Sequence, residues 1–377
     1  MTATENPVPH TQVALSGKVI AITGANRGIG LGIAECCLDN GADKVYSIDI
    51  GETGDDFAAL SKKYPGKLFA VTANVTEEAT ITAAVDKIIE EAGGLHGMVV
   101  NAGRTHHKAA LDFTKEDIET LFNVNLFGAF YTARAAARAF IKQGVKGSVV
   151  FTASMASYRP NKRVPSAPYG ASKAGIRNMT HTLAMEWAQY GIRVNSVSPG
   201  LVKTAMTYWV PQQPDWEQQL KYYGGFPRLA EVQELGGAYV YLLSDAASYT
   251  TSIDIPVNGV IGTLTEMTSS FVALVRGMTD IKMCYNASKA GVLQLAKSLA
   301  VEWVDFCRVN AVSPGYVQTK IMEYAPQEML DKWLTQIPAR QFASSYELKG
   351  VYLFCASDAS SYMTGSNLVI DGGFTLP

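Results

Sequence analysis

The chain has 377 residues, 47% hydrophobic and 18% charged, with 33 glycines. This is the balance of a compact α/β protein long enough for more than one folding unit, and it excludes a disordered, collagenous or coiled-coil chain. Lysine and arginine (32) almost cancel aspartate and glutamate (34), leaving a net charge of −2 without runs of like charge. Nucleic acid and anionic membranes are therefore not expected as partners, since both demand a basic surface.

Met1–Ser16 lacks a basic stretch followed by an apolar run, so it reads as a loosely held tail and not a secretory signal. Gly17–Thr23 is a short apolar strand that runs into Gly24-Ala-Asn-Arg-Gly-Ile-Gly30, after which Leu31–Leu38 is helical in character. Further strands are predicted at 44–50, 67–74, 97–101, 147–153 and 192–196, each pair separated by a helical segment. Parallel strands need such crossovers, so the pattern predicts a parallel sheet with helices on both faces. The last strand of this unit, 251–259, carries Pro256, which cannot donate to a ladder and must lie at an edge or be displaced. No run of 18 apolar residues predicts a membrane span. The five cysteines, Cys36, Cys37, Cys284, Cys307 and Cys355, lack Cys-x-x-Cys spacing. They read as reduced, buried residues of a cytoplasmic protein, with neither a disulfide framework nor a metal site.

Short strings recur. Tyr169-Gly-Ala-Ser-Lys173-Ala-Gly returns as Tyr285-Asn-Ala-Ser-Lys289-Ala-Gly, and Arg193-Val-Asn-Ser-Val-Ser-Pro-Gly200 returns as Arg308-Val-Asn-Ala-Val-Ser-Pro-Gly315. No second glycine-rich turn follows residue 262. The chain therefore reads as a complete unit over 17–262 and a second copy of only its C-terminal half over 263–377.

Glycines between a strand and a helix let backbone approach a diphosphate at the helix N-terminus, where unpaired N–H groups and the helix dipole favour an anion. Asp49, ending the second strand, suits ribose hydroxyls and repels a 2′-phosphate, which mildly favours NAD; Arg27 in the turn favours NADP. Tyr169 and Lys173, four apart on a predicted helix, share a face. An ammonium beside a phenol, with a cationic nicotinamide next to it, lowers the phenol's pKa toward neutrality and makes it a general acid/base. Ser154, ending the fifth strand, offers a hydroxyl to a substrate oxygen.

Together these motifs closely resemble those of the short-chain dehydrogenase/reductase family: Thr23-Gly-x3-Gly-x-Gly30, Asn101-Ala-Gly103, Asn125 in Asn-Val-Asn-Leu-Phe-Gly, Ser154, Tyr169-x3-Lys173 and Pro199-Gly200 before Thr204. The resemblance implies a Rossmann-type, doubly wound parallel sheet, here with an appended partial α/β repeat. It implies an NAD(P)-dependent oxidoreductase that moves a hydride between nicotinamide and a secondary alcohol or ketone. Asn125, Ser154, Tyr169 and Lys173 would be catalytic, with Asn125 anchoring a water that links Lys173 to solvent. Gly24, Asn26, Arg27, Gly28, Ile29, Gly30, Asp49, Asn74, Val75, Asn101, Ala102, Gly103, Tyr169, Lys173, Pro199, Gly200, Val202 and Thr204 would hold the cofactor, Val202 and Thr204 at its carboxamide. Asn74 replaces the family's usual aspartate near the adenine. The resemblance also implies a homodimer or homotetramer paired through the tyrosine-bearing helix.

The competing readings are a catalytically impaired cofactor-binding or scaffold protein, and a non-redox dehydratase or cyclase on the same scaffold. His106 and His107 read mainly as a solvated loop pair. Tyr208, Trp209, Trp216, Tyr222 and Tyr223 fall where the family carries a substrate lid, which suggests an apolar or ring-bearing substrate or plain lid packing. The second copy keeps Ser270, Tyr285 and Lys289 but no counterpart of Asn125. Its fifth strand, 264–267, is weaker than Ser148–Phe151, so the first copy is expected to complete the sheet and Tyr169 to be the working tyrosine. An exchange of the last strand alone, 366–371 replacing the Pro256 strand, is the further alternative.

Overall fold

A computed structural model describes residues 12–158, 166–222 and 226–259, and, from 292 to 375, all but 294, 295, 298, 321, 323 and 324. Seven strands form one parallel sheet: β1 (Val19–Thr23), β2 (Lys44–Asp49), β3 (Leu68–Thr72), β4 (Gly97–Val100), β5 (Ser148–Thr152), β6 (Arg193–Pro199) and β7 (Asp254–Val257). Their order is β3-β2-β1-β4-β5-β6-β7. The order reverses between β1 and β4, so a crevice opens at the carboxyl ends of these two strands.

Between the strands run α1 (Gly28–Asp39), α2 (Asp55–Lys63), α3 (Glu78–Ala92), α4 (Lys115–Phe122), α5 (Gly128–Gln143), α6 (Ala167–Trp187), α7 (Trp216–Tyr222) and α8 (Gln233–Leu243). The sheet is apolar on both faces, with β1, β4 and β5 largely or wholly buried. Ile20, Ile22, Val99 and Val150 face one core with α1 and α8. Ala21, Met98, Val149 and Phe151 face the other, with α3, α5 and α6. This two-sided burial explains why the strands read as continuous apolar runs and not as alternating ones.

Among the described residues Pro256 does lie in an edge strand, since β7 pairs only with β6. The exchange of the last strand does not occur. Asn367–Ile370 (β9) pairs instead with Ala311–Pro314 (β8) in a separate two-stranded parallel sheet. The helices α9 (Gln327–Gln336) and α10 (Lys349–Ala356) accompany that pair. The strand predicted at 264–267, together with Ser270, Tyr285 and Lys289, lies outside the described residues.

The tail requires a correction at its inner end. Leu15 is fully buried, its N–H donates to the Asn40 carbonyl at 2.8 Å, and its own carbonyl accepts from Lys18 N–H. The side chain joins the core under α1, with Ala34, Leu38 and Ala42 in the same cluster. Leu15→Ala is expected to cost about 2–4 kcal/mol, read as a lower urea midpoint. A midpoint equal to that of the unmodified chain would mean that this end is as loose as its sequence reads.

Candidate active site

At the turn after β1, Gly24 and Gly28 take left-handed φ values of +67° and +58°. A Cβ on Gly30 would stand 2.3 Å from the Gly24 carbonyl oxygen and 2.8 Å from Asn101 Nδ2, so only hydrogen fits. The turn is clasped from β4: Asn101 Nδ2 donates to the carbonyls of Thr23 and Gly24, while Thr23 Oγ1 accepts from the N–H groups of Asn101 and Ala102. No side chain caps α1, and Arg27 and Gly28 are exposed at its N-terminus. The cradle is thus shaped and polarised for a diphosphate.

Beside it lies a cleft of about 330 Å³ lined by Asn26, Gly51, Glu52, Thr53 and Ala70 to Thr72. Asp49 stands between cleft and turn, its carboxylate accepting from Asn26 N–H at 3.2 Å and Gly51 N–H at 3.0 Å. These bonds aim the carboxylate from the end of β2. The residues present fit a dinucleotide.

Asn74 follows the end of β3. Its side chain makes a local turn before α3, Oδ1 accepting from Thr76 N–H and Nδ2 donating to Glu77. Val75 packs against the first turn of α5, where a Cβ on Gly128 would meet it at 2.9 Å.

A second cluster sits at the ends of β4 and β5. Asn125 is buried in a π-helical turn, Asn123–Phe127, between α4 and α5. Such turns within helices are rare and often mark functional sites. Its Oδ1 accepts from Arg104 N–H, and its Nδ2 donates to the Arg104 carbonyl and to Ser172 Oγ. Ser172 Oγ in turn donates to the Tyr169 carbonyl at 2.8 Å. The Asn125 side chain thereby ties the loop after Asn101-Ala-Gly103 to the helix that carries the tyrosine. A Cβ placed on Gly103 would lie 3.4 Å from Asn125 Oδ1 and 3.5 Å from Lys173 Nζ, which measures how closely these groups converge.

Lys173 is almost fully buried, and its Nζ donates to the Thr152 carbonyl at 2.7 Å. Burial pulls its pKa down to about 8. Tyr169, on the same face one turn earlier, shares a hydrogen bond with Ser154, which lowers its pKa, but burial has the larger effect and raises it. Among the protein's own groups, desolvation opposes the phenolate more than Ser154 favours it, and a cationic nicotinamide is the further group that the expected acidification requires.

Downstream, Pro199 ends β6, and Gly200 packs so close to Asn258 that a Cβ would lie 2.6 Å from its Cα. Val202 is buried and bridges to Ala230, while the Thr204 N–H is held by Thr207 Oγ1. His106 is not simply solvated, since its Nδ1 lies 3.2 Å from Asp117 Oδ1. Asp117 also receives Lys108 Nζ, which holds its pKa at about 2. The His107 ring meets the edge of Trp209 in the lid.

The sequence profile of the enoyl-(acyl carrier protein) reductase family matches residues 24–260 and again 264–375. The chain belongs to the short-chain dehydrogenase/reductase family. It is similar to the sorbose reductase of Schizosaccharomyces pombe, 37% identical over 249 residues that cover 65% of this chain and 96% of the relative. It is 33% identical to the NADP-dependent mannitol dehydrogenase of Hypocrea jecorina over 252 residues, 65% of this chain and 92% of that one. Among solved structures, gluconate 5-dehydrogenase from Burkholderia cenocepacia in complex with NADP and tartrate superposes with a TM-score of 0.61. That match has 29% identity and covers 66% of this chain and 96% of the other. As a short-chain dehydrogenase/reductase, the protein is an NAD(P)-dependent oxidoreductase of alcohols and ketones.

Sequence reasoning missed Thr152. Its carbonyl anchors Lys173, and its Oγ1 bonds Asn101 Oδ1 and the Tyr239 hydroxyl. Only its place at the end of a predicted strand, two residues before Ser154, marked it. The depressed Lys173 pKa has a thermodynamic consequence. Between about pH 8 and pH 10 the unfolded chain keeps a proton on this amine that the native chain has lost, so stability rises with pH across that window. Lys173→Met is expected to abolish that rise and to stabilise the protein at pH 7 by about 2 kcal/mol after losing the bond to Thr152. Urea melts at pH 7 and 9.5 check this, and an unchanged pH slope would contradict it.

Proposed function

We propose that residues 17–262 form the working reductase, with Ser154, Tyr169 and Lys173 as its catalytic groups and Asn125 as their tether. What carries this reading is the convergence of Asn125, Gly103 and Lys173 beside the glycine cradle, with Ser154 bonded to Tyr169. Ser154 orients the substrate oxygen. Tyr169 takes the alcohol proton during oxidation and returns it to the carbonyl oxygen during reduction. Lys173, with a pKa of about 8, is mostly charged at neutral pH and is the cation that favours the phenolate during this exchange. When bound, the nicotinamide dinucleotide supplies or accepts the hydride. Gly24, Gly28 and Gly30 receive its diphosphate, and Val202 and Thr204 receive its carboxamide end.

NAD is the preferred cofactor in this reading. Asp49 and Glu52 put two carboxylates beside the cleft against one exposed guanidinium, Arg27, although several relatives are named for NADP. The substrate class is a polyhydroxy alcohol or its ketone, on the strength of relatives that act on mannitol, sorbose and 2-dehydro-3-deoxy-D-gluconate. The aromatic lid is then packing: Trp209 Nε1 donates to the Met206 carbonyl, and its ring meets His107. We assign the protein to the cytoplasm on its free cysteines Cys36, Cys37, Cys307 and Cys355. Pairing with a second copy through α6 and its neighbours is supported by exposed Phe127, Ile141 and Met185.

Residues 263–377 are read as the partial second copy. Arg193 donates to the carbonyls of Leu242, Ser244 and Thr250, and Arg308 donates to those of Cys355, Ser357 and Met363, their counterparts 113 positions on. The bridge Val202–Ala230 is likewise repeated as Val317–Ala343.

With mannitol and NAD, or sorbose and NADH, Tyr169→Phe is expected to lower kcat by about 10²–10⁴-fold, while Tyr285→Phe keeps most of the activity. The opposite ranking would move the active site to the second copy. Asp49→Ser is expected to shift the NADP-to-NAD ratio of kcat/KM by about tenfold toward NADP, close to 1.4 kcal/mol. An unchanged ratio would remove Asp49 as the selector.

A further inference from the structure

The C-terminal segment packs on α8 through contacts that come in reciprocal pairs. A Cβ on Gly237 of α8 would collide with the Ala359 carbonyl oxygen, and one on Gly350 of α10 with the Ala246 carbonyl oxygen. The Tyr249 hydroxyl donates to the Gln341 carbonyl at 2.7 Å, and the Tyr362 hydroxyl to the Arg228 carbonyl at 2.9 Å. Gly372 lies against the Tyr249 ring, and Gly259 against the Tyr362 ring. In the pairs Gly237/Gly350, Ala246/Ala359, Tyr249/Tyr362, Arg228/Gln341 and Gly259/Gly372 the numbers differ by 113 throughout. Tyr241 stacks on Phe354, its own counterpart, with ring centroids 5.1 Å apart and planes within 6°. A residue meets its own counterpart face to face only at a two-fold axis, so the interface has the geometry of an isologous dimer made within one chain.

The two halves of this interface do not do the same work. The Arg228 carbonyl that Tyr362 holds belongs to the segment that returns from the lid. Two residues on, Ala230 N–H donates to Leu201 O, and Lys203 N–H donates to Ala230 O. Those bonds fix Leu201 to Lys203, the loop between Pro199-Gly200 and Thr204. The side chains around Tyr362 reinforce the grip. Phe226 packs on its ring at 5.5 Å, the Arg228 guanidinium lies 5.1 Å from the ring centre, and Arg228 is doubly bonded to Glu234. On the mirror side, neutral Gln341 stands in place of Arg228 and touches Glu347 only at 3.5 Å. The loop that Tyr249 braces belongs to a segment without a glycine cradle.

We propose that Tyr362 is a positioning residue for the cofactor loop: through the Arg228 carbonyl it holds Val202 and Thr204 at the carboxamide end of the dinucleotide site. The C-terminal segment is then a built-in replacement for the second subunit that would otherwise supply this tyrosine. The inference rests on the assignment of 17–262 as the working reductase. Tyr249 supplies the control, because it is equally buried and braces the loop that has no site.

Tyr362→Phe and Tyr249→Phe are compared in the full chain by amide hydrogen exchange and by steady-state kinetics with mannitol and NAD. Losing one hydrogen bond is expected to speed exchange at Lys203 and Ala230 about three- to tenfold in Tyr362→Phe and to raise the KM for NAD by a similar factor, with kcat within about twofold. Tyr249→Phe is expected to speed exchange only around Gln318 and Ala343 and to leave both kinetic constants unchanged. Equal kinetic effects in the two variants, or unchanged exchange at Lys203 and Ala230 in Tyr362→Phe, would overturn the proposal. If the unmodified chain turns over neither mannitol nor sorbose with either cofactor, the assigned reaction fails, while the exchange measurement still decides whether Tyr362 braces the loop.

Discussion

The site is organised around an ammonium held almost out of water. Lys173 reaches from α6 to the end of β5 and spends a hydrogen bond on the Thr152 carbonyl, and burial pulls its pKa down. Burying a charge in this way is unfavourable unless it is paired and hydrogen-bonded. Asn125 fixes the surroundings through Arg104 and Ser172. The same strand end carries Thr152 Oγ1, which reaches Asn101 and so the glycine turn. The cofactor cradle and the proton-transfer groups are therefore two ends of one hydrogen-bonded array.

Much of this was legible from sequence because its signals are local. The strand, glycine turn and helix at 19–39 announce themselves by apolar runs and by residues without a Cβ, and Pro256 names its strand an edge because it lacks an N–H. Tyr169 and Lys173 share a helix face by spacing alone. Other features have no such signature. Thr152 anchors Lys173 with a backbone carbonyl, which every residue possesses. Leu15 ends a three-residue apolar stretch, Val13-Ala14-Leu15, that is too short for a period to betray its burial. The raised pKa of Tyr169 depends on the balance between desolvation and one serine, which is a property of the folded pocket.

The repeat was visible as matching strings, but its packing was not. The reciprocal contacts across α8 and α10 seat the extra half as a second subunit would be seated across a two-fold axis. They join glycines to carbonyls and tyrosines to carbonyls more than ninety positions away, so no window of local pattern could have found them. The asymmetry within that geometry, Arg228 against Gln341, emerges only when the pairs are superimposed.

The stacked Tyr241 and Phe354 rings also set how this contact responds to concentration. Two separate subunits meet across such an axis only as fast as they find each other, and dilution drives them apart. Joined in one polypeptide, the two faces see each other at an effective concentration of order millimolar, set by the connecting chain. This contact should therefore survive at protein levels so low that an ordinary pair of subunits would have separated.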